Sequence, residues 1–172
     1  MKKVILSACA IVMVAISGSV FAQATTSATA TATIVAPIAI TNAGNMNFGN
    51  VAVIGAGTVT LVPADGTREH TGGITLPVNN GTVTRAIFHV TGEGSYTYNI
   101  TLPSSDYTIT RVAGTETMVV NAFKSFPDVA SLGQLTSGAQ TLYVGATLNV
   151  DATQAAGTYT NATGFDVTVN YN

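Results

Sequence analysis

The sequence predicts an all-β chain folded as an immunoglobulin-like antiparallel β-sandwich. Three observations carry this. Thr, Val, Ile and Tyr recur along the chain, and Gly or Asn interrupts them at short intervals. Several runs alternate apolar and polar residues, as a strand with one buried face does. No helical stretch links the runs in the way a parallel sheet requires, so two antiparallel sheets packed face to face are expected.

The first alternating run is Ala28–Ile40, with Ala28, Ala30, Ala32, Ile34, Ala36, Ile38 and Ile40 at every second position. Thirteen residues would span roughly 43 Å, too long for one strand of a small domain. Pro37 lacks a backbone donor and breaks any ladder there. Two pieces are expected: Ile38–Thr41 as the domain's first strand, and Ala28–Val35 as a detachable strand. The alternative is that both pieces stay in one domain and change sheets at Pro37.

Further strands are predicted at "NMNFGNVAV" (45–53), "GTVTLVP" (57–63), "RAIFHV" (85–90), "YTITRV" (107–112) and "TMVVNAF" (117–123). "YTYNITL" places Tyr96, Tyr98, Ile100 and Leu102 on one face. "TLYVGATLNV" turns Leu142, Val144, Ala146, Leu148 and Val150 inward, and "FDVTVNY" does the same for Phe165, Val167, Val169 and Tyr171. Asp65-Gly66 and Asn80-Gly81 are hairpin-type pairs, and Gly92, Gly94, Gly114 and Gly157 mark other bends. "DVASLGQL" (128–135) fits one short helical turn.

The ends of the chain organise the rest. Lys2 and Lys3, the apolar stretch Val4–Val20 and the small residues of "SVFA" have the form of a signal peptide cut after Ala22. The expected organisation is residues 1–22 as signal peptide, 23–36 as an N-terminal extension and candidate donor strand, and 37–172 as the sandwich. The apolar stretch is short for a membrane span, and none is expected after cleavage. Cys9 would leave with the signal, so no disulfide can form in Gln23–Asn172. That segment carries four basic and eight acidic residues, a net charge of −4, with no basic patch for nucleic acid. Only 8% of the chain is charged, against about 25% in ordinary soluble proteins. So uncharged a surface suits a chain that packs against copies of itself or lies outside the cell.

Residues for catalysis are scarce, and no enzyme activity is expected. His89 alternates away from Ala86, Phe88 and Val90, and His70 lies in a polar, turn-like stretch. Neither stands near a nucleophile motif. The two histidines and eight carboxylates lack metal-ligand spacing, and no cofactor is expected. Lys124, beside Phe123 and Phe126, reads as a surface lysine with a buried stem rather than a cross-linking one.

Both ends of Gln23–Asn172 resemble known families. Phe165, Val167, Val169 and a penultimate Tyr171 resemble the last strand of chaperone–usher pilin subunits. "AGTYTNATGFDVTVNY" is also similar to the end of spore coat protein U domains. "IVAPIAITNAGNMNFGNV" is similar to the first strand region of both families, through Met46, Phe48 and Gly49. The resemblance covers roughly a third of that segment. It implies a sandwich that lacks its last strand, its groove filled first by a periplasmic chaperone and then by the extension of the next subunit. Carried over, Phe165, Val167, Val169 and Tyr171 border the groove, and Ala28, Ala30, Ala32 and Ile34 are the donor knobs. It further implies an outer-membrane usher, export through the inner membrane to the periplasm, and display at the cell surface. This chain departs from the pattern in lacking the first-strand cysteine, in placing its late glycine at Gly157 or Gly164, and in using alanine for most knobs.

The leading expectation is a structural subunit of a secreted fimbria or coat that assembles by strand complementation with copies of itself or related subunits. A cell-surface adhesin or carbohydrate-binding sandwich is the alternative, with Tyr143 and Tyr159 as its exposed aromatics. A small outer-membrane barrel lacks its aromatic girdles, with only 12 Phe and Tyr in the chain.

Overall fold

The computed structural model describes residues 22–172, and the signal-peptide expectation otherwise falls outside them. Thirteen strands run in chain order: β1 (Ala39–Gly44), β2 (Asn47–Phe48), β3 (Ala52–Leu61), β4 (Arg68–Thr75), β5 (Val83–Thr84), β6 (Ala86–Thr91), β7 (Thr97–Thr101), β8 (Tyr107–Arg111), β9 (Thr117–Phe126), β10 (Gly133–Gln134), β11 (Ala139–Val150), β12 (Tyr159–Thr160) and β13 (Thr168–Tyr171). Among the described residues one 3-10 turn, Val129–Ser131, is capped by the Asp128 carboxylate, which accepts from Ala130 N at 2.8 Å. This is the short turn expected in "DVASLGQL".

The strands form antiparallel sheets, as the alternation predicted, and the arrangement is that of a β-sandwich. The large sheet runs β1-β6-β11-β9-β8-β12, and β3 joins it through β11 and carries β4 at its side. The small sheet is β10-β7-β13, and β2 pairs only with β5.

The twelve-residue β11 organises the large sheet. Its first half pairs with β6 (Thr141 opposite His89, Leu142 opposite Phe88), and its second half pairs with β3 (Leu148 opposite Val59). Gly145 sits where one partner gives way to the other. A methyl group there would lie 1.9 Å from the Leu61 carbonyl oxygen, so only glycine admits that backbone. The inward residues Leu142, Val144, Ala146, Leu148 and Val150 are all buried.

Two apolar clusters result. Ala86, Phe88, Val90, Tyr98, Ile100, Leu135, Leu142, Val144 and Val169 pack between the large and small sheets. Val59, Ile74, Val120, Ala146, Leu148 and Val150 form the second cluster, against which Met46, Phe48, Val51 and Val53 also pack.

Four local expectations change. "REHTGG" is part of strand β4 and not a turn; its solvent-facing residues, His70 among them, hid the strand. "NMNFGNVAV" is interrupted at Gly49, whose φ of +69° ends β2. Asp65-Gly66 does close the β3–β4 hairpin, whereas Asn80-Gly81 lies in the link between β4 and β5, strands that pair elsewhere. Tyr96 precedes β7 and is 44% exposed, so it leaves the inward face shared by Tyr98 and Ile100.

Val35–Asn172 forms one compact unit. Ala22–Ile34 has no assigned strand or helix, and its side chains are exposed.

Candidate functional site: an uncharged cleft between two sheet edges

β1 and β13 are the edges that matter. β1 pairs only with β6, and β13 only with β7, which leaves one side of each ladder without a strand among the described residues. The two strands are in contact. Towards its C-terminal end the register of β1 slips between Asn42 and Gly44, and the chain passes through β2 into β3. Across from it, Gln154–Phe165 leads into β13. A cavity of about 1070 Å³ lies between these two segments.

The floor of the cavity comes from the large sheet: Ala86, Phe88, Ile109, Met118, Val120, Leu148 and Val150. Met46 and Phe48 line one side, and Tyr107, Tyr159 and Phe165 the other. Asn42, Asn45, Asn47, Asn50, Gln154 and Asn161 add amides. Among the described residues, no Asp, Glu, Lys, Arg or His lines the cavity. It therefore offers apolar surface together with neutral amide, hydroxyl and phenol groups that can hydrogen-bond.

The walls are held from behind. The Arg68 guanidinium donates to the carbonyls of Phe48 and Asn50 at 2.7 and 2.8 Å and pins the β2–β3 link. Asn50 N donates to the Asn80 carbonyl at 2.8 Å. On the other side Tyr159 Oη donates to the Ala155 carbonyl and accepts from Gln154 Nε2, both at 2.7 Å. Asn161 Nδ2 donates to the Thr108 carbonyl at 2.8 Å. Burial pushes the Tyr107 phenol above its ordinary pKa.

The four residues expected at the groove lie on one face. Phe165 lines the cavity, with ring centroids 4.9 Å from Phe123, 5.9 Å from Tyr107 and 6.4 Å from Phe88. Val167 is half-buried against the core, and Val169 is buried opposite Ile100. Tyr171 closes the row, its ring 5.5 Å from that of Tyr96. Of the expected donor residues, Ala28, Ala30, Ala32 and Ile34 are exposed, Ile34 at 96%, and none lies in a strand.

The other candidates have ordinary placements. His70 and His89 are exposed, on β4 and β6. Lys124 is exposed on β9. The Arg85 guanidinium covers the Tyr143 ring, 3.5 Å from its centroid, and Tyr159 is half-buried. No group of three His, Cys, Asp or Glu among the described residues could hold a metal. No helix among them is long and apolar enough to cross a membrane.

Of the residues expected at the groove, only Phe165 lines the cavity, and the opposite wall was not expected from the sequence. The asparagine-rich "NAGNMNFGN" was the available signal, though a polar run of this kind reads equally as loop. Comparison with known proteins gives one match, a family model described as "Domain of unknown function (DUF4402)", over residues 38–171. No curated protein and no solved structure matches the chain. The matched span runs from just before β1 to the last residue of β13 and takes in both walls of the cleft, and the chain belongs to the DUF4402 family.

Proposed function

We propose that this chain is a structural subunit of a secreted surface fimbria or coat and that it assembles by β-strand complementation. The observation that carries the reading is the uncharged cleft between two sheet edges, lined by Phe165 and continued by the free side of β13. An added strand would meet both demands of such a site. Its backbone would pair with the open ladder, and every second side chain would enter the apolar floor. The segment Gln23–Val35 suits this role, because it alternates from Ala28 onward, is exposed as far as Ile34 and contains no charged residue. Ala28, Ala30, Ala32 and Ile34 would be the inserted side chains, donated to another copy or to a related subunit. Each alanine methyl contributes only about 0.8 kcal/mol and Ile34 about 1.5–3 kcal/mol, so the ladder must provide much of the affinity.

The reading includes export with removal of residues 1–22, passage through the periplasm, and a chaperone and usher that protect and order the open edge. It assigns no catalytic role. The test is deletion of Gln23–Val35, followed by negative-stain microscopy of the purified protein. The truncated chain is expected to remain folded and to form no fibres, whereas the full chain forms fibres that resist mild denaturant. Fibres from the truncated chain would overturn the proposal.

A further inference from the structure

At the end of β13 away from the cavity, three residues close a ring of hydrogen bonds. Tyr171 Oη accepts from Glu93 N at 2.6 Å and donates to the Ala36 carbonyl at 2.9 Å. Ala36 N donates to the Glu93 carboxylate at 3.0 Å. Both backbone groups of Ala36 are thus taken by side chains, not by a strand partner. Pro37 follows and restricts Ala36 to extended conformations. Gly92 makes the ring possible, since a methyl group there would lie 2.2 Å from the Tyr171 hydroxyl.

We propose that the Ala36–Glu93–Tyr171 ring is a latch that holds the start of β1 against the edge strand β13 and competes with strand addition there. This rests on the strand-complementation reading and adds a control to it. A strand that enters the open cleft and extends along β13 reaches Tyr171, where the segment before β1 is already bound. Full overlap then requires the latch to open. A closed latch keeps an isolated subunit from sealing its edge with whichever strand arrives first. An open one commits it to assembly.

The experiment measures uptake of a fluorescein-labelled peptide with the sequence of residues 23–36 by the dilute chain from Gln23 onward, followed by anisotropy. Wild type is compared with Tyr171→Phe, which keeps the ring but removes the hydroxyl, and with Glu93→Ala, which removes the carboxylate. Amide exchange at Ala36 and Glu93 reports whether each change has opened the latch. Both variants are expected to take up the peptide on the order of tenfold faster than wild type, the effect of losing one or two hydrogen bonds. Equal or slower uptake by both folded variants would overturn the latch and leave strand complementation standing. Absence of uptake by every form, wild type included, would overturn the complementation reading and the latch with it.

Discussion

Tyr98 shows how much a single side chain can hold in a fold with so few charges. It is fully buried, and its hydroxyl donates to Gln140 Oε1 at 2.6 Å. The same amide oxygen accepts from Gln134 N at 2.9 Å, so one glutamine ties β7, β10 and β11 together. Burial pushes the Tyr98 phenol up to about 12. An unfolded tyrosine ionises near pH 10, roughly two units lower. Between these values the unfolded chain releases a proton that the folded chain keeps. The stability conferred by this group is therefore complete below about pH 10 and is lost as pH rises towards 12. Urea midpoints are expected to fall between pH 9 and 11.5, and Tyr98→Phe is expected to reduce that fall. At neutral pH the same substitution costs about 1 kcal/mol for the lost hydrogen bond. Gly145 makes a steric counterpart. Gly145→Ala drives a methyl into the Leu61 carbonyl and is expected to cost about 1–3 kcal/mol or more, read as a lower urea midpoint.

Among the elements, the β2–β3 link forms the cleft wall with the least structure of its own. β2 has only two residues, and Arg68 on β4 holds the link through two carbonyls. Hydrogen bonds from a charged donor contribute about 1.5–3 kcal/mol. Arg68→Ala is therefore expected to raise amide exchange across Asn47–Val53 while leaving β11 protected, as hydrogen exchange with mass spectrometry would detect. Uniform loosening of both regions would mean that Arg68 supports the whole sandwich. The same contrast explains which elements could be read from the sequence. β7, β11 and β13 bury one face each, so alternation in the chain follows alternation in space. β4 has an exposed stretch from Glu69 to Thr71 and gives no such signal. The cleft was legible only at Phe165, for a related reason. Phe165 opens a run that repeats every second residue, whereas the opposite wall is set by Gly49 and by a long-range contact to Arg68, 20 positions away in the chain. Local pattern carries no information about either.

At the scale of the whole molecule the decisive property is the placement of charge. Asp65 accepts hydrogen bonds from Thr67 N and Oγ1, chiefly the former, and its pKa falls below the ordinary value. Glu116 is lowered first by its own backbone amide and then by Arg111, with which it forms an ion pair of 3.1 Å. Both groups lie outside the cleft, and among the described residues no Asp, Glu, Lys, Arg or His lines it. The segment Gln23–Val35 is also uncharged. Strand addition between such partners involves backbone pairing and apolar burial, and neither depends on Debye screening. The affinity of the cleft for the 23–36 peptide is therefore expected to change less than about twofold between 0.05 and 0.5 M sodium chloride. Association guided by opposite charges would weaken steeply over the same range. Fibre growth between whole chains need not be equally flat. Each copy from Gln23 onward carries a net charge of −4, and screening that mutual repulsion is expected to speed growth modestly. Peptide titrations and growth rates measured side by side separate the two effects. A peptide affinity that falls tenfold with salt would place a charged contact at the site and would contradict a neutral strand as its occupant.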